Sequence, residues 1–150
     1  MTPRSVLILC GGLAASDTEA LSLALDEVTS VKARLSSEAS AHAILRRLAE
    51  GSSDFLVLGG RLCSEPGLDL VSKLREEGHI LPVLFLASRD ERGFVLRGLA
   101  AGVDGCIARD ELNGPTLLRA LNGAAVQHIQ RRDDILFRLA SGMPEERDAV

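Results

Sequence analysis

Two periodicities alternate along the 150-residue chain, and that alternation restricts its fold more than any other feature. Short apolar runs read as strands buried on both faces, and longer stretches with a 3.6-residue apolar period read as amphipathic helices. The runs are Val6–Cys10, about Val31–Leu35, Phe55–Leu58, Pro82–Leu86 and Gly105–Ala108. Ser16 and Glu19 form a capping box that opens a first helix, with Ala20, Leu21, Ala24, Leu25 and Val28 as its stripe. A second helix starts near Ser40, presents Ile44, Leu45 and Leu48, and stops at Gly51. A third carries Leu68, Val71 and Leu74 before Gly78. Ser88 and Glu91 suggest a second capping box, opening a fourth helix with Phe94, Val95 and Leu99 that ends at Gly102. Asn113, Gly114 and Pro115 open a fifth, with Pro at the first helical position.

Strict strand–helix alternation with short connections predicts an α/β fold: a doubly wound parallel (βα)5 sheet with strand order 2-1-3-4-5. In that order the topological switch lies between strands one and three, and a ligand would sit at their C-terminal ends. The helical pattern continues through VQHIQRRDDILFRLA to Ala140, before Gly142 and Pro144 stop it. The expected organisation is a domain over 1–125 and a helical extension or linker over 126–150.

Composition narrows the function. A net charge of −4, with no Trp or Tyr and four Phe, gives no footprint for direct nucleic-acid binding. The longest apolar runs, Val6–Cys10 and Ile80–Ala87, are far too short to span a bilayer. Three cysteines without close spacing argue against a disulfide framework, and a reducing cytoplasm fits best. The expected active edge is chemically bare. Strand one ends in Cys10-Gly11-Gly12, strand three in Gly59-Gly60, strand four in Ala87-Ser88, and strand five runs into Arg109. Glu65 and Asp90 are the nearest acids in the sequence reading, and they do not make an Mg²⁺ site. The expectation is no catalytic residue, no metal and no cofactor, hence not an enzyme. The alternative is a small-ligand or anion sensor that uses the two glycine pairs as a nest. Cys10 and Cys63 could form a redox or metal pair, but no His follows at ligand spacing, and both read as small buried apolar residues. His42, His79 and His128 read as solvated surface residues.

Four segments carry a resemblance: SVLILCGG, SDFLVLGGRLCSEPGLDLVSKLR, LPVLFLASRDE and AGVDGCIARDEL. In order and spacing, the stretch from Arg4 to about Ala125 resembles the receiver domain of bacterial two-component response regulators, which implies a flavodoxin-like fold and a signalling context. The functional motif departs from the family. Where receivers carry the acidic pair that holds Mg²⁺, this chain has Cys10 and Gly11. Gly59 stands at the phospho-acceptor Asp, and Ala87 at the sensing Thr or Ser, with Ser88 one residue late. Arg109 stands at the Lys and Cys106 at the switch aromatic, while the loop Pro is shifted to Pro66. The resemblance therefore implies a pseudo-receiver that works by phosphorylation-independent protein contact. Arg109, deprived of its usual partners, is expected to bend to solvent or to pair with Glu65 or a backbone carbonyl.

The implied surface is the face of helix four, strand five and helix five, with Phe94 and Cys106 as participants. The stripe Ala125, Ile129, Leu136 and Leu139, interrupted by Arg132, would dimerise the domain or lead to an output partner. That partner, attached or separate, would be a kinase, cyclase, phosphodiesterase or transcription factor.

Overall fold

The computed structural model describes residues 4–28, 31–51, 53–59, 62, 65–79, 81–88, 97–98 and 100–141. Five strands alternate with helices: β1 (Arg4–Gly11), α1 (Ala15–Asp26), β2 (Val31–Glu38), α2 (Ala41–Ala49), β3 (Phe55–Gly59), α3 (Glu65–Glu76), β4 (Val83–Ala87) and β5 (Gly105–Ala108). A 3₁₀ turn, Arg109–Glu111, leads into a C-terminal helix, Gly114–Ser141. All neighbouring strands are parallel, in the order β2-β1-β3-β4-β5. The predicted doubly wound α/β architecture and strand order are what the structure has.

The pleat explains how one apolar strand feeds two cores, because successive side chains point to opposite faces. On one face Leu9, Leu56, Leu58, Val83 and Phe85 pack with Ile44 and Leu48 of α2 and Leu68, Val71 and Leu74 of α3. On the other face Ile8, Cys10, Val57, Leu84, Leu86 and Ile107 pack with Leu21, Ala24 and Leu25 of α1 and Leu117, Leu121 and Ala124 of the C-terminal helix. β3 and β4 are central and buried on both sides.

Local signals held at some ends and failed at others. Ser40 caps α2, its Oγ accepting from the Ala43 amide at 3.1 Å. The Asn113 side chain accepts from the Thr116 amide at 2.9 Å, and the last helix begins at Gly114, so Pro115 is its second residue. The Ser16–Glu19 capping box does not form. α1 starts one residue earlier, with Ala14 as an extended N-cap that has no side-chain bond, which puts Ser16 inside the first turn. β2 is longer than predicted: backbone pairing with β1 carries it through Ser36 and Ser37 to Glu38, where no apolar residue marks it. The Ser88–Glu91 box, together with Phe94 and Val95, reaches into positions outside the described residues.

At the N-terminal edge of the sheet Arg75, near the end of α3, ties three segments together. Its Nε and Nη2 donate to the Gly102 carbonyl, and its Nη1 donates to the carbonyls of His79 and Leu81. Nη2 also donates to Asp104 Oδ2 at 2.9 Å. Asp104 is fully buried, and the same oxygen accepts from the Val83 amide at 2.8 Å. Every donor of this guanidinium is used, the condition under which a buried ion pair holds a fold together.

Candidate functional site

The switch point lies where β1 and β3 part, and the register places Cys10 beside Val57 and Gly11 beside Leu58 at their C-terminal ends. Gly59 is level with Leu86 of β4, and Ala87 with Ala108 of β5. The positions singled out in the sequence therefore converge on one edge: Cys10, Gly11, Gly59, Ala87 and Arg109, with Ser88 just beyond β4.

Apolar side chains fill this edge. A Cβ added at Gly59 would meet Leu13 Cδ2, and one at Gly11 would meet Ile44 Cδ1. Gly12 has a positive φ of 68°, a conformation that favours glycine; a Cβ there would lie 2.7 Å from the Gly59 carbonyl oxygen and 2.8 Å from Leu62 Cγ. Leu62 is 5% exposed and belongs to the α2–α3 core. Leu13 packs against the opposite core. The described glycines thus make room for two leucines, one from each side of the sheet. This leaves the anion-nest reading without a cradle at Gly11, Gly12 and Gly59; Gly60 lies outside the described residues.

The charges nearby are paired. Asp17, in the first turn of α1, is 7% exposed, and its Oδ1 lies 3.0 Å from Arg109 Nε. The contact is ionic rather than a hydrogen bond, because the Nε–H is not directed at the oxygen. This corrects the expectation that Arg109 turns to solvent, to Glu65 or to a carbonyl. The sequence reading missed Asp17, although a signal was present: it lies one turn before Leu21, on the stripe that α1 buries. A carboxylate there also meets the positive end of the helix dipole. At the end of β2, Glu38 Oε2 accepts from Arg47 Nη1 at 3.0 Å. An edge that gathers Mg²⁺ needs carboxylates free to converge on one point. Here Asp17 and Glu38 each face an arginine.

Cys10 is 1% exposed, and burial pushes its thiol up to about 12. A thiol held protonated is neither a nucleophile nor a metal ligand at neutral pH. Its proposed companion Cys63 lies outside the described residues. Cys106 is exposed on β5, with its pKa raised by partial burial, while Phe94 lies outside the described residues. His42 is exposed, whereas His79 and His128 are half-buried. Among the described residues no three His, Cys, Asp or Glu side chains cluster as a metal site, and no helix is long and apolar enough to cross a membrane.

The opposite edge of the sheet holds a groove of about 620 Å³ between α1 and the C-terminal helix. Val6, Ile8 and Phe55 line its floor, Leu25 and Val28 one wall, and Leu121, Ala125 and Ile129 the other.

No protein-family model matches this chain, and no curated protein does. Solved structures do. A protein assigned as a response regulator from Chloroflexus aurantiacus superposes with a TM-score of 0.66 at 21% identity, over 83% of this chain and 99% of that one. The chemotaxis response regulator CheY4 of Vibrio cholerae gives 0.62 at 18% identity, over 82% and 99%. The signal receiver domain of an HD domain-containing protein from Pseudomonas fluorescens gives 0.64 at 15% identity, over 89% and 95%. At these identities the likeness establishes architecture, and the fold of this chain is that of the response-regulator receiver domain.

Proposed function

We propose that this domain is a pseudo-receiver: a cytoplasmic signalling module of two-component type that works through protein contact without being phosphorylated. One observation carries the reading, the filling of the switch point by Leu13 and Leu62 over Gly11, Gly12 and Gly59. Glycine cannot form an acyl phosphate. A cation cannot be held by Cys10 and Gly11, and the leucines occupy the space in which a phosphoryl group would need to be solvated or coordinated. The Asp17–Arg109 pair supports the same reading, since it joins α1 to the end of β5 by a direct contact of 3.0 Å.

The surface that remains for signalling is the exposed face of β5 and the C-terminal helix, with Cys106, Ala125 and Ile129 among its described residues and Phe94, Leu136 and Leu139 as proposed contributors. The receiver-fold relative from an HD domain-containing protein suggests the kind of output to which such a domain is joined. A kinase, cyclase, phosphodiesterase or transcription factor, attached or separate, would be controlled by contact alone. The test is mass spectrometry after incubation with acetyl phosphate and Mg²⁺. No phosphoryl adduct is the expected result; an adduct on any Asp within 1–125 overturns the proposal.

A further inference from the structure

β2 closes one side of the sheet and has a single neighbouring strand, β1. Its eight residues keep unbroken one-to-one register with β1 and include no proline, so neither a bulge nor a missing amide blunts this edge. The Gly12 amide donates to the Glu38 carbonyl, so Glu38 turns its backbone groups towards β1. The two-residue period then turns those of Lys32, Arg34 and Ser36 the same way, and those of Ala33, Leu35 and Ser37 outward. Among the described residues, nothing pairs with these outward amides and carbonyls.

The side chains divide by face. Ala33 and Leu35 are half-buried on the α1 side, while Glu38 lies on the α2 side, where its Oε2 accepts from Arg47. Lys32, Arg34 and Ser36 share the face of Glu38. Lys32 and Arg34 are exposed and enter none of the ion pairs among the described residues. Cations on an edge strand ordinarily keep copies apart. Here the strand has cations at its start and an acid at its end, and antiparallel reversal sets one against the other.

We propose that β2 pairs antiparallel with β2 of a second copy, with the two-fold axis at Leu35, to form one continuous sheet. Outward backbone groups meet only when Ala33, Leu35 and Ser37 oppose one another, so the axis passes through a residue and not between two. An axis at Arg34 sets Arg34 directly against the partner's Arg34. An axis at Ser36 sets Arg34 opposite the partner's Glu38, but it runs Lys32 past the strand to the partner's Ser40, which caps α2, and pairs only 34–38. An axis at Leu35 pairs the strand over 32–38. Ala33 then bonds the partner's Ser37, Leu35 bonds the partner's Leu35, and Lys32 lies opposite the partner's Glu38. Directly opposed residues of an antiparallel pair share a face, with Cβ atoms about 4.5–5.5 Å apart, so these two charges meet. Each Glu38 lies between Arg47 of its own chain and the partner's Lys32. Because β2 and β5 are the two ends of the sheet, the pairing leaves the β5 face open to an output partner.

Sedimentation velocity on the full chain tests this, and a dimer with Kd below ~100 μM is expected. Ser37→Pro removes an outward amide and leaves the ladder to β1 intact, so it should give a monomer with an unchanged thermal midpoint. Lys32→Glu should weaken the dimer by ~10-fold or more. Register is read by mixing Arg34→Cys chains with Ser36→Cys chains, with Cys63 and Cys106 replaced by Ser, since opposed residues that share no hydrogen bond lie within disulfide reach. A 34–36 disulfide supports the proposal, and a 34–34 or 36–36 disulfide overturns it. A monomer, a dimer that survives Ser37→Pro, or a Lys32→Glu dimer as tight as the parent also overturns it. A monomer leaves the phosphorylation-independent reading standing; a phosphoryl adduct overturns that reading and leaves the dimer standing.

Discussion

The two edges of this sheet spend charge in opposite ways. At the N-terminal edge one arginine, Arg75, is 14% exposed and uses all of its donors on three carbonyls and a fully buried Asp104. At the C-terminal edge Arg109 is 37% exposed and makes a single ionic contact to Asp17, while leucines fill the centre. In a doubly wound sheet the C-terminal edge is where ligands bind and charge is kept in reserve. This chain has its most fully bonded polar network at the structural edge, while the centre of the ligand edge is apolar. On the proposed reading, the ligand edge serves packing.

Substitutions at the two edges should separate this account from one in which both are alike. Arg75→Ala should be the most damaging, costing about 3–5 kcal/mol, because it strands a buried carboxylate. Urea unfolding reads it, and a loss below ~1 kcal/mol would erase the contrast between the edges. Cys10 should be nearly inert next to Cys106, with maleimide labelling of the native protein slower by ~100-fold or more at pH 8. Because burial raises the Cys10 thiol from 9.0 to about 12, the stability it contributes is whole below pH 9 and declines as pH climbs towards 12. Reaction of Cys10 as fast as Cys106 would contradict its burial.

Restoring an acid at the ligand edge should not restore chemistry. Gly59→Asp should destabilise by about 1–3 kcal/mol, since its Cβ meets Leu13, and adding Leu13→Ala should recover part of the loss. Full additivity of the two changes would mean that Leu13 does not occupy that space. Arg109→Ala should cost less than Arg75→Ala, about 1–2 kcal/mol, because it leaves the buried Asp17 carboxylate without its arginine but still at the positive end of α1. Gly123→Ala lies on the exposed side of the last helix, where an added Cβ meets nothing within 4 Å. It should stabilise by about 0.5–1 kcal/mol, a gain in thermal midpoint that sets the sign opposite to Gly59.

The fold was legible because its strands are apolar on both faces and its helices are striped; period alone carried Val6–Cys10, Leu68–Leu74 and Gly105–Ala108 to their places. Where period says nothing, the reading failed. Ser36–Glu38 is strand only because β1 pairs with it, and Ser16 loses its cap because α1 starts at Ala15. The bare edge was legible as missing acids, but its filling was not. Leu13 and Leu62 lie outside the strands and α-helices, and which glycine each leucine covers depends on how β1, β3 and α3 converge. The Arg75–Asp104 network spans 29 residues with no local signal at either end. Asp17 is the instructive miss, an acid on a buried stripe that pointed towards a cation elsewhere.

The central claim is that the ligand edge cannot take a phosphoryl group. The direct measurement is an amide ¹H–¹⁵N titration of the full chain with Mg²⁺ and beryllofluoride. The account predicts that Gly11, Gly59, Ala87, Ser88 and Arg109 keep their shifts throughout. A saturable movement of those amides, propagating to Cys106 and the C-terminal helix, would contradict it.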